Sequence, residues 1–250
     1  MLPDEMERRR EIEARMRARA RLYGFREIAT PVFEELELFT IRSGEGIINE
    51  MYVFEDKGGR SLALRPELTA PVLRMYVEEG RSLNKPVKWC YFADCFRYER
   101  PQKGRYRQFW QFGAELIGAD SAMGDAEVIT LGYDLLRTAG VTFVLRIGHL
   151  SFMRTLLADL ADGDRKKIRG FLDKREEEAA ITYLRDIGRD DLCDPLIRLC
   201  GARILEDIFA IIGEIPEAAR VREMFAILDA SGIPYEINPA IARGLDYYTG

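Results

Sequence analysis

The sequence predicts an α+β fold in which a mostly antiparallel sheet is flanked by helices and carries a helical insertion. Two observations predict the sheet: a hairpin pattern around Gly58 and Gly59, and two longer alternating stretches joined by a turn at residues 100–104. A third predicts the insertion, because helical stretches follow one another from residue 149 to about residue 232 without a strand pattern.

Composition bounds the class of protein. The chain has 250 residues, of which 47% are hydrophobic and 32% charged, as in ordinary soluble globular proteins. A net charge of −5 argues against a general nucleic-acid binder but permits one local basic site. No apolar run is long enough to span a membrane, and the N-terminus is charged, so we expect no membrane association and a cytoplasmic location.

The cysteines and the single histidine offer little material for metal or redox chemistry. Cys90 and Cys95 are five residues apart, and Cys193 and Cys200 are seven apart, which matches no zinc or CxxC motif. We expect four reduced thiols in the core. His149 is predicted to be a turn or packing residue, and no metal site is assigned to protein side chains.

The N-terminal elements follow from start and stop signals. Pro3 and the acidic residues after it begin a helix, which Gly24 ends. The segment "REIATPVFEEL" then predicts a short strand that is broken at Pro31.

The middle of the core begins with the predicted hairpin "MYVFEDKGGRSLALRP". A helix capped by Thr69 is predicted to end at Gly80, and the strands "VKWCYFADCFRYE" and "RYRQFWQFGAELIG" come next. A helix near residues 122–139 and the strand "VTFVLRI" complete this part. We therefore predict a core at residues 1–148, a helical insertion at 149–232 and a return to the core at 233–250.

Strand parity places a set of polar side chains on one face of the long hairpin. A carboxylate at Glu115, among apolar neighbours, needs a partner if it is buried, while Gly113 leaves room for a close approach. Arginines and a phenyl ring suit an anionic, aromatic ligand, although a solvated face with cross-strand ion pairs is the alternative. The face comprises Arg97 and Glu99 on one strand and Arg105, Arg107, Phe109, Gln111, Gly113 and Glu115 on the other.

Four segments carry a family resemblance. "FRYERPQKGRYRQFWQFGAE" resembles motif 2 of class II aminoacyl-tRNA synthetases in the form found in histidyl-tRNA synthetases, and "LRPELTAP" resembles the segment before it. "YGFREIATPVFE" resembles motif 1, and "ARGLDYYTG" resembles the histidine-specific motif RGLDYY. The resemblance implies a class II synthetase fold and the joining of L-histidine to tRNA(His) with ATP and Mg²⁺ in a homodimer built on motif 1.

The resemblance also implies residue roles. Arg97 and Arg243 would be catalytic contacts of the ATP α-phosphate, and Phe109 would stack on adenine. Glu115 and Tyr248 would bind the two imidazole nitrogens. Arg243 and Tyr248 have opposite parity, so a regular strand cannot point both side chains at one pocket. The other implied contacts are Glu99 and Arg105 with ATP, Glu67, Thr69, Gln111 and Tyr247 with histidine, and Arg100, Gln102 and Lys103 with the tRNA acceptor end.

Simpler readings stay open for three of these positions. Thr69 can be only a helix cap, Pro31 only a strand breaker, and Glu67 only a compensating charge in the first helical turn.

Family members continue past RGLDYY into motif 3 and an anticodon-binding domain, so we expect a catalytic-domain fragment. The alternative is a non-catalytic regulatory subunit of ATP phosphoribosyltransferase, which would have eroded nucleotide motifs, whereas Arg97, Gln102, Phe109 and Arg243 are all present here. A nucleic-acid-binding module without chemistry is a third possibility, and it predicts no histidine binding.

Overall fold

The computed structural model describes residues 1–43, 45–98 and 104–241. The chain divides into two compact units, which are described separately. The first comprises Met1–Asp120 and Asp134–Val141, and the second comprises Ser121–Tyr133 and the described residues from Thr142 onward. In the described part of the chain, no helix combines the length and apolar character needed to cross a bilayer.

The first unit carries both predicted hairpins. Its helices are α1 (Pro3–Leu22), α2 (Leu36–Ser43), α3 (Thr69–Met75) and the C-terminal end of α4 (Ala122–Thr138). Its strands are β1 (Arg26–Glu27), β2 (Phe33–Glu35), β3 (Val53–Glu55), β4 (Ser61–Leu64), β5 (Val87–Phe96) and β6 (Gln108–Ile117).

These strands form two three-stranded sheets, with orders β1-β5-β6 and β2-β4-β3. β5 and β6 pair antiparallel from Val87↔Ile117 to Phe96↔Gln108, and β1 joins them in parallel. β4 pairs antiparallel with both β2 and β3. The predicted α+β class with a mostly antiparallel sheet is confirmed.

Helix α1 covers one face of the β5–β6 hairpin. The Arg9 guanidinium lies 3.7 Å from the Trp110 ring centroid, and that of Arg17 lies 5.3 Å from the Phe92 ring centroid. Such cation–π contacts let a basic helix pack on an aromatic surface. The apolar face predicted from strand parity therefore does pack on a helix.

The opposite face of the same hairpin packs against α3. Leu68 and Val72 form a buried cluster with Tyr91 and Cys95 of β5. Strand alternation gives this face the odd-numbered residues of β5 and β6, and it is the face that holds the candidate site.

A buried arginine connects the segment around Pro31 to β5. Arg65, only 4% exposed, donates to the carbonyl oxygens of Thr30 and Pro31 at 2.8 and 2.9 Å and to that of Asp94 at 2.7 Å. Burial lowers the pKa of its guanidinium. The predicted strand break at Pro31 is confirmed, because β1 ends at Glu27 and β2 begins at Phe33.

The second unit is a helical module with a short two-stranded sheet. Its core includes Phe152, Leu184, Leu199, Ile208 and Leu228, all fully buried. Its helices and strands are the N-terminal part of α4, β7 (Arg146–Ile147), α5 (Leu150–Leu156), α6 (Asp162–Asp173), α7 (Glu177–Asp186), α8 (Cys193–Gly201), α9 (Leu205–Ile212), α10 (Ala218–Ala230) and β8 (Glu236–Ile237). The domain boundaries at residues 148 and 232 stay a prediction.

Three local predictions are wrong. Thr69 does not cap α3 with its side chain, because the helix begins at Thr69 itself and the Glu67 carboxylate accepts from the first amides. The strand predicted at 141–147 is reduced to Arg146–Ile147, since its partner β8 is also two residues long. β6 begins at Gln108 rather than at Arg105.

The cysteine and histidine predictions are confirmed. All four cysteines are free and buried, and burial raises the pKa of Cys90, Cys95 and Cys200 to about 11. His149 occupies the N-cap of α5, where its Nδ1 accepts from the Ser151 amide at 3.3 Å.

Candidate functional site

The centre of the candidate site is the carboxylate of Glu115 on β6. Its Oε1 accepts two hydrogen bonds, one from Thr69 Oγ1 at 3.0 Å and one from the Tyr91 hydroxyl at 3.1 Å. Strand β6 supplies the acid, β5 the phenol and the start of α3 the threonine. This carboxylate therefore has the partners that a buried acid requires.

Burial and hydrogen bonding act in opposite directions on Glu115. Burial raises the pKa of this carboxyl, the hydrogen bonds from Thr69 and Tyr91 lower it, and the charge of Glu67 raises it further. The net shift is upward. No hydrogen bond from a described residue reaches Oε2, so this second oxygen is available to a ligand.

Glu67 lies at the start of α3. Its carboxylate oxygens accept from the backbone amides of Thr69 at 2.5 Å and Ala70 at 2.9 Å. These are the contacts of an acid that satisfies the first amides of a helix. Each oxygen retains lone pairs, so the same carboxylate can also accept from a ligand ammonium group.

Gly113 makes room for Tyr91, its direct partner across β5 and β6. A Cβ at Gly113 would lie 2.2 Å from the Tyr91 hydroxyl oxygen and ring carbon Cζ. The prediction that Gly113 leaves room for a ligand is wrong, because the Tyr91 side chain fills that space. Tyr91 is only 3% exposed, and burial, followed by the charge of Glu115, raises the pKa of its phenol.

Gln111 is held by a thiol from the neighbouring strand. Cys95 Sγ donates to Gln111 Oε1 at 3.3 Å. Burial raises the pKa of Cys95, so the thiol keeps its proton and remains a donor at neutral pH. Because its carbonyl oxygen is engaged, the amide of Gln111 can offer its NH₂ group to a ligand acceptor.

Arg97 and Phe109 form a cationic and aromatic pair at the far end of the hairpin. Arg97 Nε donates to the Pro66 carbonyl oxygen at 3.0 Å, and its guanidinium carbon lies 5.0 Å from the Phe109 ring centroid. A guanidinium fixed beside an aromatic ring can bind a phosphate and stack a planar base.

Not every predicted residue joins this group. Arg105 is exposed and lies before β6, and Arg107 places its guanidinium 5.0 Å from the Tyr98 ring centroid. The structure thus brings Glu67, Thr69 and Glu115 together through hydrogen bonds and Arg97 and Phe109 together through a cation–π contact. Gln111 lies between Phe109 and Glu115 on β6 and is bonded to Cys95. The remaining predicted positions, Glu99, Arg100, Gln102, Lys103, Arg243, Tyr247 and Tyr248, lie outside the described residues.

Tyr91 and Cys95 are contacts that the sequence reasoning missed. Counting back from Arg97 in steps of two reaches both residues, so strand parity alone places them on the same face. Gly113 was a second signal, because a glycine inside a strand often marks a close approach.

A mostly antiparallel sheet with α1 on one face and α3 on the other, carrying this carboxylate and arginine pattern, matches the catalytic fold of a class II aminoacyl-tRNA synthetase. A family profile described as histidyl-tRNA synthetase matches residues 1–250. The chain belongs to the histidyl-tRNA synthetase family.

Two curated relatives illustrate the similarity. The histidine--tRNA ligase of Methanospirillum hungatei is 98% identical over 250 residues, which are all of this chain and 61% of the relative. That of Methanosphaerula palustris is 62% identical over 249 residues, again covering the whole chain and 61% of the relative. The chain thus spans about three fifths of the length of these relatives.

Two solved structures share the fold. The apo histidyl-tRNA synthetase of S. aureus is 34% identical with a TM-score of 0.66, over 99% of this chain and 57% of that one. A Bacillus halodurans protein described as an ATP phosphoribosyltransferase regulatory subunit/histidyl-tRNA synthetase has a TM-score of 0.88 at 24% identity, over 100% and 68% of the two chains. At that identity the second likeness shows the fold alone.

Proposed function

We propose that this chain is the catalytic portion of a histidine–tRNA ligase. The whole protein activates L-histidine with ATP to histidyl-adenylate, releases pyrophosphate and transfers the histidyl group to tRNA(His). The observation that carries the proposal is the half-buried Glu115 carboxylate, which uses one oxygen for two protein hydroxyls and leaves the other for a ligand.

Histidine recognition follows from this arrangement. Glu115 Oε2 accepts from one imidazole N–H, and Tyr248 pairs with the other ring nitrogen. Gln111 donates to the substrate carboxylate, while Glu67 and Thr69 line the pocket for the amino group. A site that leaves buried polar groups unpaired with the wrong amino acid discriminates strongly against it.

The ATP site is proposed at the other end of the hairpin. Phe109 stacks on adenine and Arg97 holds the α-phosphate. In support, the Arg97 guanidinium carbon lies 5.0 Å from the Phe109 ring centroid. Arg243 is the second α-phosphate contact, with Glu99 and Arg105 beside the nucleotide. Attack by the histidine carboxylate brings two anions together, and fixed cations lower that barrier.

Mg²⁺ accompanies ATP, and its chemistry when bound is to neutralise phosphate charge. In the part of the chain that the structure describes, no group of three or more His, Cys, Asp or Glu side chains is placed to hold a metal ion. A phosphate-bound Mg²⁺ needs only one or two protein carboxylates, so this donor set is compatible with an ion held chiefly by ATP.

The partners belong to the same proposal. The turn bearing Arg100, Gln102 and Lys103 contacts the tRNA acceptor end. A homodimer forms through the segment that resembles motif 1, in keeping with Phe33 and Phe54, which are 51% and 41% exposed with ring centroids 6.3 Å apart. We place the enzyme in the cytoplasm.

A regulatory subunit of ATP phosphoribosyltransferase is the competing function. It would require histidine binding without nucleotide chemistry. The Arg97–Phe109 pair favours the ligase, because a histidine sensor has no use for a phosphate-binding arginine stacked on an aromatic ring.

The test is ATP–pyrophosphate exchange with and without L-histidine. It is run on this chain and on a version extended with the remaining sequence of the Methanospirillum hungatei relative. The proposal expects histidine-dependent exchange, at least in the extended protein. An extended protein that binds histidine but catalyses no exchange would support the regulatory subunit, and one that binds no histidine would contradict both functions.

A further inference from the structure

We propose that Tyr91 is a positioning residue for histidine recognition: seated over Gly113, it holds Glu115 Oε1 so that Oε2 faces the ligand. The inference rests on the proposed function and deepens it, because it assigns specificity to a pair of residues that need not touch the substrate.

The geometry ties the three residues into one unit. Tyr91 and Gly113 are direct partners across the strands, and Glu115 follows Gly113 on the same face. The ring occupies the place where a Gly113 Cβ would be, and this brings the phenol oxygen within 3.1 Å of Glu115 Oε1. A side chain at position 113 would therefore move the hydroxyl away from the acid.

Two donors on one oxygen fix the carboxylate more firmly than one. Thr69 approaches Oε1 from the start of α3 and Tyr91 from β5, so rotation of the carboxylate would break at least one bond. With Oε1 engaged from both sides, the plane of the carboxylate and the direction of Oε2 are set before histidine arrives. Such preorganisation increases affinity by reducing the cost of ordering on binding.

The Tyr91 hydroxyl also favours the charged acid. Among the described residues, the groups that act on Glu115 are the Thr69 and Tyr91 hydroxyls and the Glu67 carboxylate. Without the phenol donor, only the Thr69 hydrogen bond opposes the upward effects of burial and of the Glu67 charge, so the pKa of Glu115 rises further. Glu115 then takes up its proton at a higher pH, and the acid limb of histidine binding moves upward.

The experiment measures L-histidine affinity by calorimetry from pH 5 to pH 8 in the extended protein. For Tyr91→Phe we expect about tenfold weaker binding at pH 7, the size of one hydrogen bond to a charged group. We also expect an acid limb displaced to higher pH relative to wild type. Titration of histidine itself is common to all the proteins, so the displacement reports on the protein.

The matched control is Tyr23→Phe. Tyr23 also donates to a carboxylate, Asp134 Oδ2 at 2.6 Å, in the same unit but away from the site. This variant loses a comparable bond and should keep both the affinity and the pH profile of wild type.

Gly113 supplies an independent arm. Gly113→Ala should weaken histidine binding in the wild-type background but have little further effect when combined with Tyr91→Ala, because the ring that the new Cβ would meet is then gone. Additive effects of the two substitutions would overturn the proposed packing.

The outcomes distinguish a failure of the proposed function from a failure of the role proposed for Tyr91. Wild type that binds no histidine overturns the proposed function. Wild type that binds, with Glu115→Gln impaired and Tyr91→Phe identical to wild type at every pH, overturns the inference and leaves the proposed function standing.

Discussion

Glu115 shows how a half-buried acid can lower stability while serving a ligand site. Burial raises its pKa despite two hydrogen bonds, so the folded protein binds this proton more tightly than the unfolded chain does. A group whose pKa is raised in the folded state stabilises the fold at low pH and loses that contribution as the pH rises. The ionised form of Glu115 is therefore a cost to folding.

Glu115→Gln should stabilise the free protein at pH 7. The amide keeps Oε1 for Thr69 and Tyr91 and removes the buried charge, and we expect a melting temperature about 2–4 °C above wild type, equivalent to about 1 kcal/mol. The gain should shrink as the pH falls, because protonation of Glu115 removes the charge first in the folded and then in the unfolded state. The measurement is thermal melting of wild type and Glu115→Gln between pH 4 and pH 7, with Glu55→Gln, at an exposed position, as the control. A melting temperature of Glu115→Gln below that of wild type at pH 7 would contradict the charge argument.

At the residue scale, strand parity predicted much of the site. It put Phe109, Gln111 and Glu115 on one face because alternation is fixed by backbone geometry. It could not predict that Thr69 and Tyr91 meet at one oxygen, since that depends on the register of two strands and the position of a helix 46 residues earlier in the chain. Residues after Ile241 lie outside the described structure, so the implied roles of Arg243, Tyr247 and Tyr248 stay predictions.

At the scale of elements, a buried acid within α1 holds the arginines with which the helix contacts the sheet. Its Glu13 side chain is 1% exposed and accepts from Arg9 at 2.7 Å, Arg10 at 3.0 Å and Arg17 at 3.1 Å. Burial acts to raise the pKa of Glu13, but the hydrogen bonds and charges of the arginines outweigh it, and the net shift is downward. Two of these arginines, Arg9 and Arg17, also contact the aromatic face of β5 and β6.

Glu13→Gln should destabilise the first unit. Three guanidinium groups lose their shared counter-charge, and we expect a loss of about 2–3 kcal/mol in the free energy of unfolding at pH 7. Because the pKa of Glu13 is lowered in the fold, its contribution is present above the unfolded pKa and disappears as the pH falls through the folded value. Urea denaturation at pH 7 and pH 3 tests both statements.

The matched control on the same helix is Glu11→Gln. Glu11 pairs with Arg15 at the surface, where its side chain is 62% exposed, so its removal should change stability little. Equal losses for the two variants would show that burial of Glu13 does not determine the effect.

Local signals predicted elements well where the sequence pattern was strong. Pro3 and Gly24 bounded α1, and Gly58–Gly59 marked the β3–β4 hairpin. The β7 prediction was too long, because the apolar residues at 141–145 find no strand partner, and pairing is a long-range property. Thr69 was predicted as a cap, but Glu67 two residues earlier took the amides instead.

At the scale of the whole molecule, the chain contains two units with separate cores. The helical sequence patterns after residue 149 predicted that this part of the chain is mostly helical, and α5–α10 confirm it. α4 is divided between the two units, which no local pattern indicates, because a continuous helix gives no sequence signal of a change in the core it joins. Family membership rests on the entire chain, and catalysis by the whole protein is the proposal that follows from it.

The most direct test of the central claim is the binding of L-histidine to wild type, Glu115→Gln and Glu55→Gln, measured by calorimetry at pH 7.5 in the extended protein. In Glu115→Gln the two hydroxyls hold the amide oxygen, so an NH₂ donor faces the imidazole N–H, and we expect at least about tenfold weaker binding. Glu55→Gln should match wild type. Equal histidine affinity in all three proteins would contradict the assignment of Glu115 as the residue that recognises histidine.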